Sequence, residues 1–243
     1  MDRESEKVRQ ARESFDRILR RKAYTEIIRD DEQRSLLLDM LRGGDYKKIL
    51  DIGTGTGYLA FALAETYPCA LVHGIDIVRA IAEENRPSNL VLQTFDGITY
   101  PFEDNTFDLI VSRYAFHHFP NPESAVEQIY RLLLPGGRVL ISDPVRAAED
   151  RGEIIDRFMR IKRDGHIRFY AREELEELFA AVGFSVEKQT ITHMAFPFAP
   201  RNEYEELYDT LTDRDRCCYG ITKENGTVWV RNMEVGNIIF IKI

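Results

Sequence analysis

The residues best placed to do chemistry are Asp51, Asp76 and Asp96, each following a short apolar run, and the glycines that come after the first of them. In "KKILDIGTGTGYLAFALAE", Lys47 to Glu65, Gly53, Gly55 and Gly57 recur at every second position before a helical pattern begins. Glycine there lets backbone approach a ligand that a Cβ would obstruct, and the free N–H groups of the following helix suit a carboxylate or phosphate. A tight strand-to-helix turn would also need glycine, so the turn alone is weak evidence. Asp76 follows Gly57 at the distance where a carboxylate accepts two hydrogen bonds from a ribose diol. Asp96, beside the exposed backbone of Gly97, suits an adenine, whose amino group donates and whose ring nitrogens accept. Asp51, directly before the glycines, disfavours a pyrophosphate and favours a cation. Each acid alone could be a helix cap or a loop residue; three at successive strand ends form a pattern.

The elements that must hold these residues alternate. Val8, Ala11, Phe15 and Ile18, then Ile27, Ile28, Leu36, Leu37 and Leu41, predict helix through the first 42 residues, stopped by Gly43-Gly44. Strands are expected at Ile49-Leu50, "CALVHGIDI", "NLVLQTFD", "FDLIVSRY" and "RVLISD". Helices are expected from Tyr58 to Tyr67, over "RAIAEEN", and after an Asn121 cap with Pro122 at the first position, the last ended by Pro135-Gly136-Gly137. This alternation predicts a doubly wound, mostly parallel α/β sheet covered on both faces. Beyond Asp143 come charged helical segments (146–170), an amphipathic helix ending at Gly183, the strand "FSVEKQTIT", an irregular or helical stretch (195–225) and two late strands, "TVWV" and "NIIFIKI", expected as an antiparallel edge. The expected organisation is one domain: N-terminal helices at 1–42, a ligand-binding core at 45–145, and substrate-cap elements at 146–170 and 195–225.

Composition narrows the function. The chain has 243 residues, 44% hydrophobic and 30% charged, and a net charge of −8, which argues against binding nucleic acid. The cluster Arg20, Arg21 and Lys22 reads as a solvated helix face. Three cysteines, Cys69, Cys217 and Cys218, do not make a disulfide framework; they read as reduced thiols of a cytoplasmic protein. The charged N-terminus is no signal peptide, and no stretch has the length of a membrane span.

Together, "LDIGTGTGYLAFALA", "GIDI" and "FDGITYPFEDNTFDLIVSRYAFHHFPNPESAVEQIYRLLLPGGRVLISD" resemble class I S-adenosylmethionine-dependent methyltransferases, in particular the quinone-biosynthesis-like small-molecule group. The likeness covers Lys47 to Asp143, with "HIRFYAREELEELFAAVGFSVE" as a weaker extension. It implies a Rossmann-like seven-stranded sheet with an antiparallel last strand. It also implies S-adenosylmethionine as cofactor, S-adenosylhomocysteine as product, a small-molecule methyl acceptor and no metal. By position, Asp51 and the loop Gly53, Thr54, Gly55 and Gly57 would hold the methionine part. Asp76 with Ile77 would hold the ribose, Asp96 with Gly97 the adenine, and Ser112 would line the methionine end through its backbone.

Where the nucleophile carries a proton, candidate bases are His117 and His118, with Tyr114 and Asp143 beside them. The histidines could equally pack a loop, and a His-His pair without matched acids or cysteines is no metal site. His166, Arg168 and Tyr170 in "RDGHIRFY", and Phe196 and Phe198 in "THMAFPFAPRNEY", are expected either over the pocket or packed on the surface or core. Two rival readings stand. One is a nicotinamide-dependent oxidoreductase, because G-T-G-Y-L-A from Gly55 fits a loose dinucleotide fingerprint. The other is a non-catalytic module that binds the cofactor. A homodimer is kept open, and the acceptor atom is not legible.

Overall fold

A computed structural model describes residues 3–18, 29–78 and 86–243. The Arg20–Lys22 cluster, Ile27, Ile28 and the expected helix at 79–85 lie outside the described residues. The elements are α1 (Arg3–Ile18), α2 (Asp31–Met40), β1 (Lys48–Ile52), α3 (Tyr58–Thr66), β2 (Leu71–Asp76), β3 (Leu90–Thr94), β4 (Phe107–Arg113), α4 (Pro122–Leu132) and β5 (Leu133–Pro144). They continue with α5 (Ile154–Lys162), α6 (Arg172–Ala180), β6 (Phe184–Pro197), α7 (Asn202–Asp209), α8 (Asp213–Tyr219), β7 (Ile221–Glu224) and β8 (Thr227–Lys242).

The strands form one sheet in the order β3-β2-β1-β4-β5-β8-β6, with β7 paired to β8. The first five strands run parallel, and β8 is antiparallel to both β5 and β6. The doubly wound expectation is therefore met, with β7 as a short eighth strand. Side-chain alternation along each strand feeds two cores. Leu50, Ile52, Ile110, Val139, Ile141, Ile238 and Phe240 face α4 and α6. Their sequence neighbours Ile49, Leu109, Val111, Leu140 and Ile239 face α2 and α3. A one-residue slip in any central strand would exchange the two sets, so burial fixes the register.

Three expectations change. "TVWV" and "NIIFIKI" are parts of one strand, because the polar stretch between them stays paired to β6 as far as Pro197↔Trp229. Helix α4 ends at Leu132, before Pro135-Gly136-Gly137, which instead bulges within β5 between the pairs Phe107↔Leu133 and Leu109↔Arg138. The segment 146–170 holds only one short helix, α5. Asn225-Gly226 forms the β7–β8 hairpin with φ of 50° and 75°, as a tight primed turn requires. The far end of the β6–β8–β7 ribbon packs on α5, α7 and α8 through Phe158, Phe198, Tyr204, Tyr219, Val230 and Met233, a core of its own. No described helix is long and apolar enough to cross a membrane.

A buried polar network joins α2 to the sheet. Gln33 Nε2 donates to Asn237 Oδ1 at 2.6 Å and to Ser142 Oγ at 3.2 Å, while Thr192 Oγ1 donates to Gln33 Oε1 at 2.8 Å. Ser142 Oγ donates to Asn237 Oδ1 at 2.8 Å. Asn237 is fully buried. Replacing Asn237 by Ala should strand the Gln33 amide and the Ser142 hydroxyl and cost about 3 kcal/mol in urea unfolding.

Candidate functional site

A cavity opens at the C-terminal ends of β1, β2 and β4, where an open parallel sheet offers its crevice. The turn after β1 is held by the neighbouring strand: the Gly53 and Thr54 N–H groups donate to the Ile75 carbonyl at 2.9 and 3.1 Å. The three glycines have different reasons to be there. At Gly53 a Cβ would lie 2.4 Å from the Ala115 Cβ, and at Gly57 it would press on the Phe61 ring at 3.1 Å. At Gly55, with φ of 53°, a Cβ would meet nothing within 4 Å. Gly53 and Gly57 answer to protein neighbours, and Gly55 alone faces open space. Gly57 caps α3 and stands outside the cavity lining.

Two acids line the cavity. Asp51 is 2% exposed and accepts a 2.7 Å hydrogen bond from Thr54 Oγ1. Burial pushes its carboxyl up to about 7; the Thr54 hydroxyl and the Arg113 charge oppose this, and Asp76 adds to it. Asp76 accepts from the Gly55 N–H at 2.7 Å on Oδ2 and from the Val78 N–H at 3.0 Å on Oδ1. Burial raises its pKa too, against those backbone donors. Thr54 and Ile77 complete this wall.

The other candidates divide. Gly97 lines the cavity, but Asp96 does not: it is exposed, two residues past the end of β3. Its Oδ1 accepts the Ile98 and Thr99 N–H groups at 2.8 and 2.7 Å, which makes it the cap of its own turn. Ser112 is buried behind the wall, donating through Oγ to the Ile52 carbonyl at 3.0 Å, while its neighbour Arg113 lines the cavity. His117 and His118 share a 3-10 turn yet face different surroundings. His117 Nδ1 lies 3.0 and 2.9 Å from the two Asp143 oxygens, and its backbone N–H donates to Oδ2 at 3.1 Å. Full burial drives His117 well below its ordinary pKa and lifts Asp143 to about 8, so this pair is closed on itself away from the cavity. His118 does line the cavity; its Nδ1 is buried with no hydrogen-bond partner among the described residues, and burial keeps the ring neutral. Tyr114 also lines it, at φ of 54°, with its N–H donating to the Ser142 carbonyl at 2.8 Å.

The segments expected over the pocket pack elsewhere. His166 Nε2 pairs with Asp156 at 2.6 Å, Arg168 pairs with Glu174 at 3.0 Å and stacks on Tyr170, and Phe196 and Phe198 belong to the third core. None of these lines the cavity. No cluster able to hold a metal occurs among the described residues. The roof is instead α1, through Val8, Ala11 and Phe15. Its seat is tight: a Cβ on Gly165 would lie 2.6 Å from the Ala11 Cβ, and Ser14 Oγ donates to the Arg163 carbonyl at 3.0 Å. Phe15 meets His118 edge-on at 4.8 Å between ring centres. The sequence puts residues 1–42 among the segments that build the acceptor end, together with 146–170 and 195–225, but carries no motif there, and periodicity does not say which apolar face covers the cavity.

Comparison with known proteins adds a family. A family profile described as a methyltransferase domain matches residues 14–189. The chain is 31% identical over 141 residues to the uncharacterized methyltransferase YcgJ of Bacillus subtilis, an alignment covering 55% of each protein. It is 33% identical over 171 residues to the demethylmenaquinone methyltransferase of Thermus thermophilus, covering 60% of this chain and 78% of that one. The crystal structure of YcgJ superposes with a TM-score of 0.76 at 22% identity, covering 88% of this chain and 99% of that one. The chain thus spans about half the length of the first of these relatives in sequence alignment.

The buried acids predict an unusual stability profile. A carboxyl raised to about 7 in the folded chain, against about 3.9 unfolded, contributes stability that is complete below pH ~4 and is lost as pH rises through ~7. Urea midpoints should fall across that window, and Asp51→Asn should flatten the fall.

Proposed function

The chain belongs to the methyltransferase-domain family, and from that premise we propose that it transfers the methyl group of S-adenosylmethionine to a small-molecule acceptor within the cavity under α1. The observation that carries this is the pairing of two dry acids, Asp51 and Asp76, around a turn whose one open glycine, Gly55, faces the same space. The residues fit the cofactor. A buried carboxylate at Asp51 suits an ammonium and repels a pyrophosphate, which disfavours the nicotinamide rival. Asp76 has lone pairs beyond those its backbone donors use, enough for a ribose diol. Gly97 with Phe95 and Ile98 offers backbone and an apolar surface for an adenine. Asp96 would act there by shaping the turn that presents Gly97.

When bound, the cofactor supplies a methyl group on a sulfonium, a carbon already activated for in-line displacement. What is left to the protein is to align the acceptor and keep water out. Phe15, Tyr114 and Phe119 form an apolar roof and rim suited to that task. Of the two histidines, His118 is the one that lines the cavity, with Tyr114 as the other candidate base there. The His118 Nδ1 is buried with no hydrogen-bond partner among the described residues, so it would take a proton only from an acceptor hydroxyl or amine whose binding uncovers it. His117 and Asp143 serve as the packed support behind it. The segments 146–170 and 195–225 act at one remove: Gly165 seats α1, and the third core holds the ribbon in place. Cys69, Cys217 and Cys218 stand unpaired, in keeping with a cytoplasmic setting.

Calorimetric titration with S-adenosylhomocysteine tests the cofactor assignment; binding of NADH alone would overturn it. Asp76→Ala should weaken S-adenosylhomocysteine by about tenfold or more, since it removes charge-assisted bonds to two hydroxyls. Binding an ammonium needs Asp51 ionised, so affinity should rise with pH up to about 7 and level off above it, with proton release below that point. Asp51→Asn should remove this dependence. For catalysis, His118→Ala should lower kcat about 100-fold for a proton-bearing acceptor while leaving S-adenosylhomocysteine affinity unchanged. An unchanged kcat would exclude His118 as base.

A further inference from the structure

The segment "RDGHIRFY", Arg163 to Tyr170, brings charge into the interior beside His118. Asp164 is fully buried. Its Oδ1 accepts the His166 N–H at 3.3 Å, and its Oδ2 faces Lys162 Nζ at 2.6 Å. Burial would raise this carboxyl, but the Lys162 charge, with His118 and His117 beside it, holds it down to about 2. Asp164 is thus an ionised group in a dry place. Its loop wraps the histidine turn: the Ile167 N–H donates to the His117 carbonyl at 3.0 Å, and the His166 ring stands edge-on to His118 with 6.2 Å between ring centres. Three imidazoles and three buried acids share this interior. His117 takes Asp143 and His166 takes Asp156. His118 Nδ1 has no hydrogen-bond partner among the described residues, and Asp164 is paired with a lysine. That lysine reaches toward water, with 32% of its side chain exposed against none of Asp164's. The charges felt by His118 agree with this placement. Burial and the His117 ring lower its pKa, the Asp164 charge and the Gly165 backbone raise it, and Lys162 opposes them with less effect than Asp164 has. α1 meets His118 through the Phe15 ring, and Tyr114, Arg113, Asp51 and Asp76 stand elsewhere on the cavity wall.

Methyl transfer to a protic acceptor moves a charge. The acceptor atom bonds the methyl carbon, the carbon–sulfur bond breaks with its electron pair left on sulfur, and the acceptor's proton goes to His118. One positive charge disappears at sulfur and one appears on the ring. In a dry site an imidazolium is costly without a fixed negative charge close by. We propose that Asp164 is the positioning residue for His118: its buried carboxylate, outside the cavity, stabilises the imidazolium that forms when His118 takes the proton of an acceptor hydroxyl or amine. This rests on His118 as the base and goes beyond that reading by naming the group that lets a buried ring accept charge.

The test reads the ring directly. Histidine NMR on the full chain without ligand follows protonation as pH falls, with the His118 signal assigned by its loss in His118→Ala. Asp164→Asn keeps an acceptor for the His166 N–H and removes the charge, so the His118 midpoint should move to lower pH. Lys162→Met leaves the carboxylate without its lysine and should move the midpoint to higher pH. Adding Asp164→Asn to Lys162→Met should reverse that rise. A packing role would not give shifts of opposite sign. If Lys162→Met and the double variant titrate alike, the proposal fails. Turnover of phenol or amine acceptors, read as S-adenosylhomocysteine release, gives the second arm. Asp164→Asn should lower kcat about tenfold when His118 is present and not at all in His118→Ala. An equal loss in both backgrounds makes Asp164 structural and overturns the proposal. If His118→Ala alone leaves kcat unchanged, the reading of His118 as base is lost and the proposal falls with it.

Discussion

The site depends on a pair of backbone hydrogen bonds that cross from one strand's turn to the next strand. Gly53 and Thr54 both donate to the Ile75 carbonyl, and Gly55 donates to the Asp76 carboxylate directly beyond it. The turn after β1 is thus anchored to the end of β2 before α3 begins. That anchor fixes Asp51 and Asp76 relative to each other, aims Gly55 at open space and sets the start of α3. Glycine at 53 follows because the anchored turn passes against Ala115, so the loop that holds His118 is referenced to the same point. Without that crossing, Asp51 and Asp76 would still be held at the ends of paired strands, but the turn that presents Gly55 beside them would not.

The parallel core was legible in the sequence because its signals are local and redundant. Strand alternation, the Asn121 cap, confirmed by its 3.1 Å bond from the Ser124 N–H, and the acids at strand ends each stand within a few residues of what they specify. The cavity wall at Asp51, Gly55, Asp76 and Gly97 was legible for the same reason. What escaped was long-range. The roof from α1 touches the core across some eighty residues, as in the Arg12 bond to the Phe95 carbonyl, and nothing in the Val8, Ala11, Phe15 spacing separates a lid from a core stripe. The division of labour between His117 and His118 escaped too. Two adjacent identical residues gave no hint that Asp143, on another strand, would engage one and leave the other facing the cavity. Asp96 shows a different limit of local reading: its side chain caps its own turn, and the neighbouring Gly97 meets the cavity.

The outer half of the molecule follows a different logic. Strands β6 and β8 run past the sheet and, with β7, carry α5, α7 and α8 on a separate core. Among the described residues this core is linked to the cavity by the loop at 163–167, which seats α1 and hydrogen-bonds the His117 carbonyl from the Ile167 N–H at 3.0 Å. Substitutions within the third core would act on the roof and on the histidine turn together, with the wall at Asp51 and Asp76 left intact.

The same burial that makes the wall at Asp51 and Asp76 costly makes it selective by charge. Asp51, Asp76 and Asp143 all carry pKa values raised by desolvation, so the unliganded chain holds these groups at the expense of stability near neutral pH. An incoming cation recovers part of that cost by giving Asp51 a partner in a dry site, where an ion pair is stronger than in water. An anion would deepen the penalty at Asp51. The charges of the cavity therefore bear on ligand choice as much as its shape does: two buried carboxyls beside the glycine turn disfavour an anion such as a pyrophosphate there.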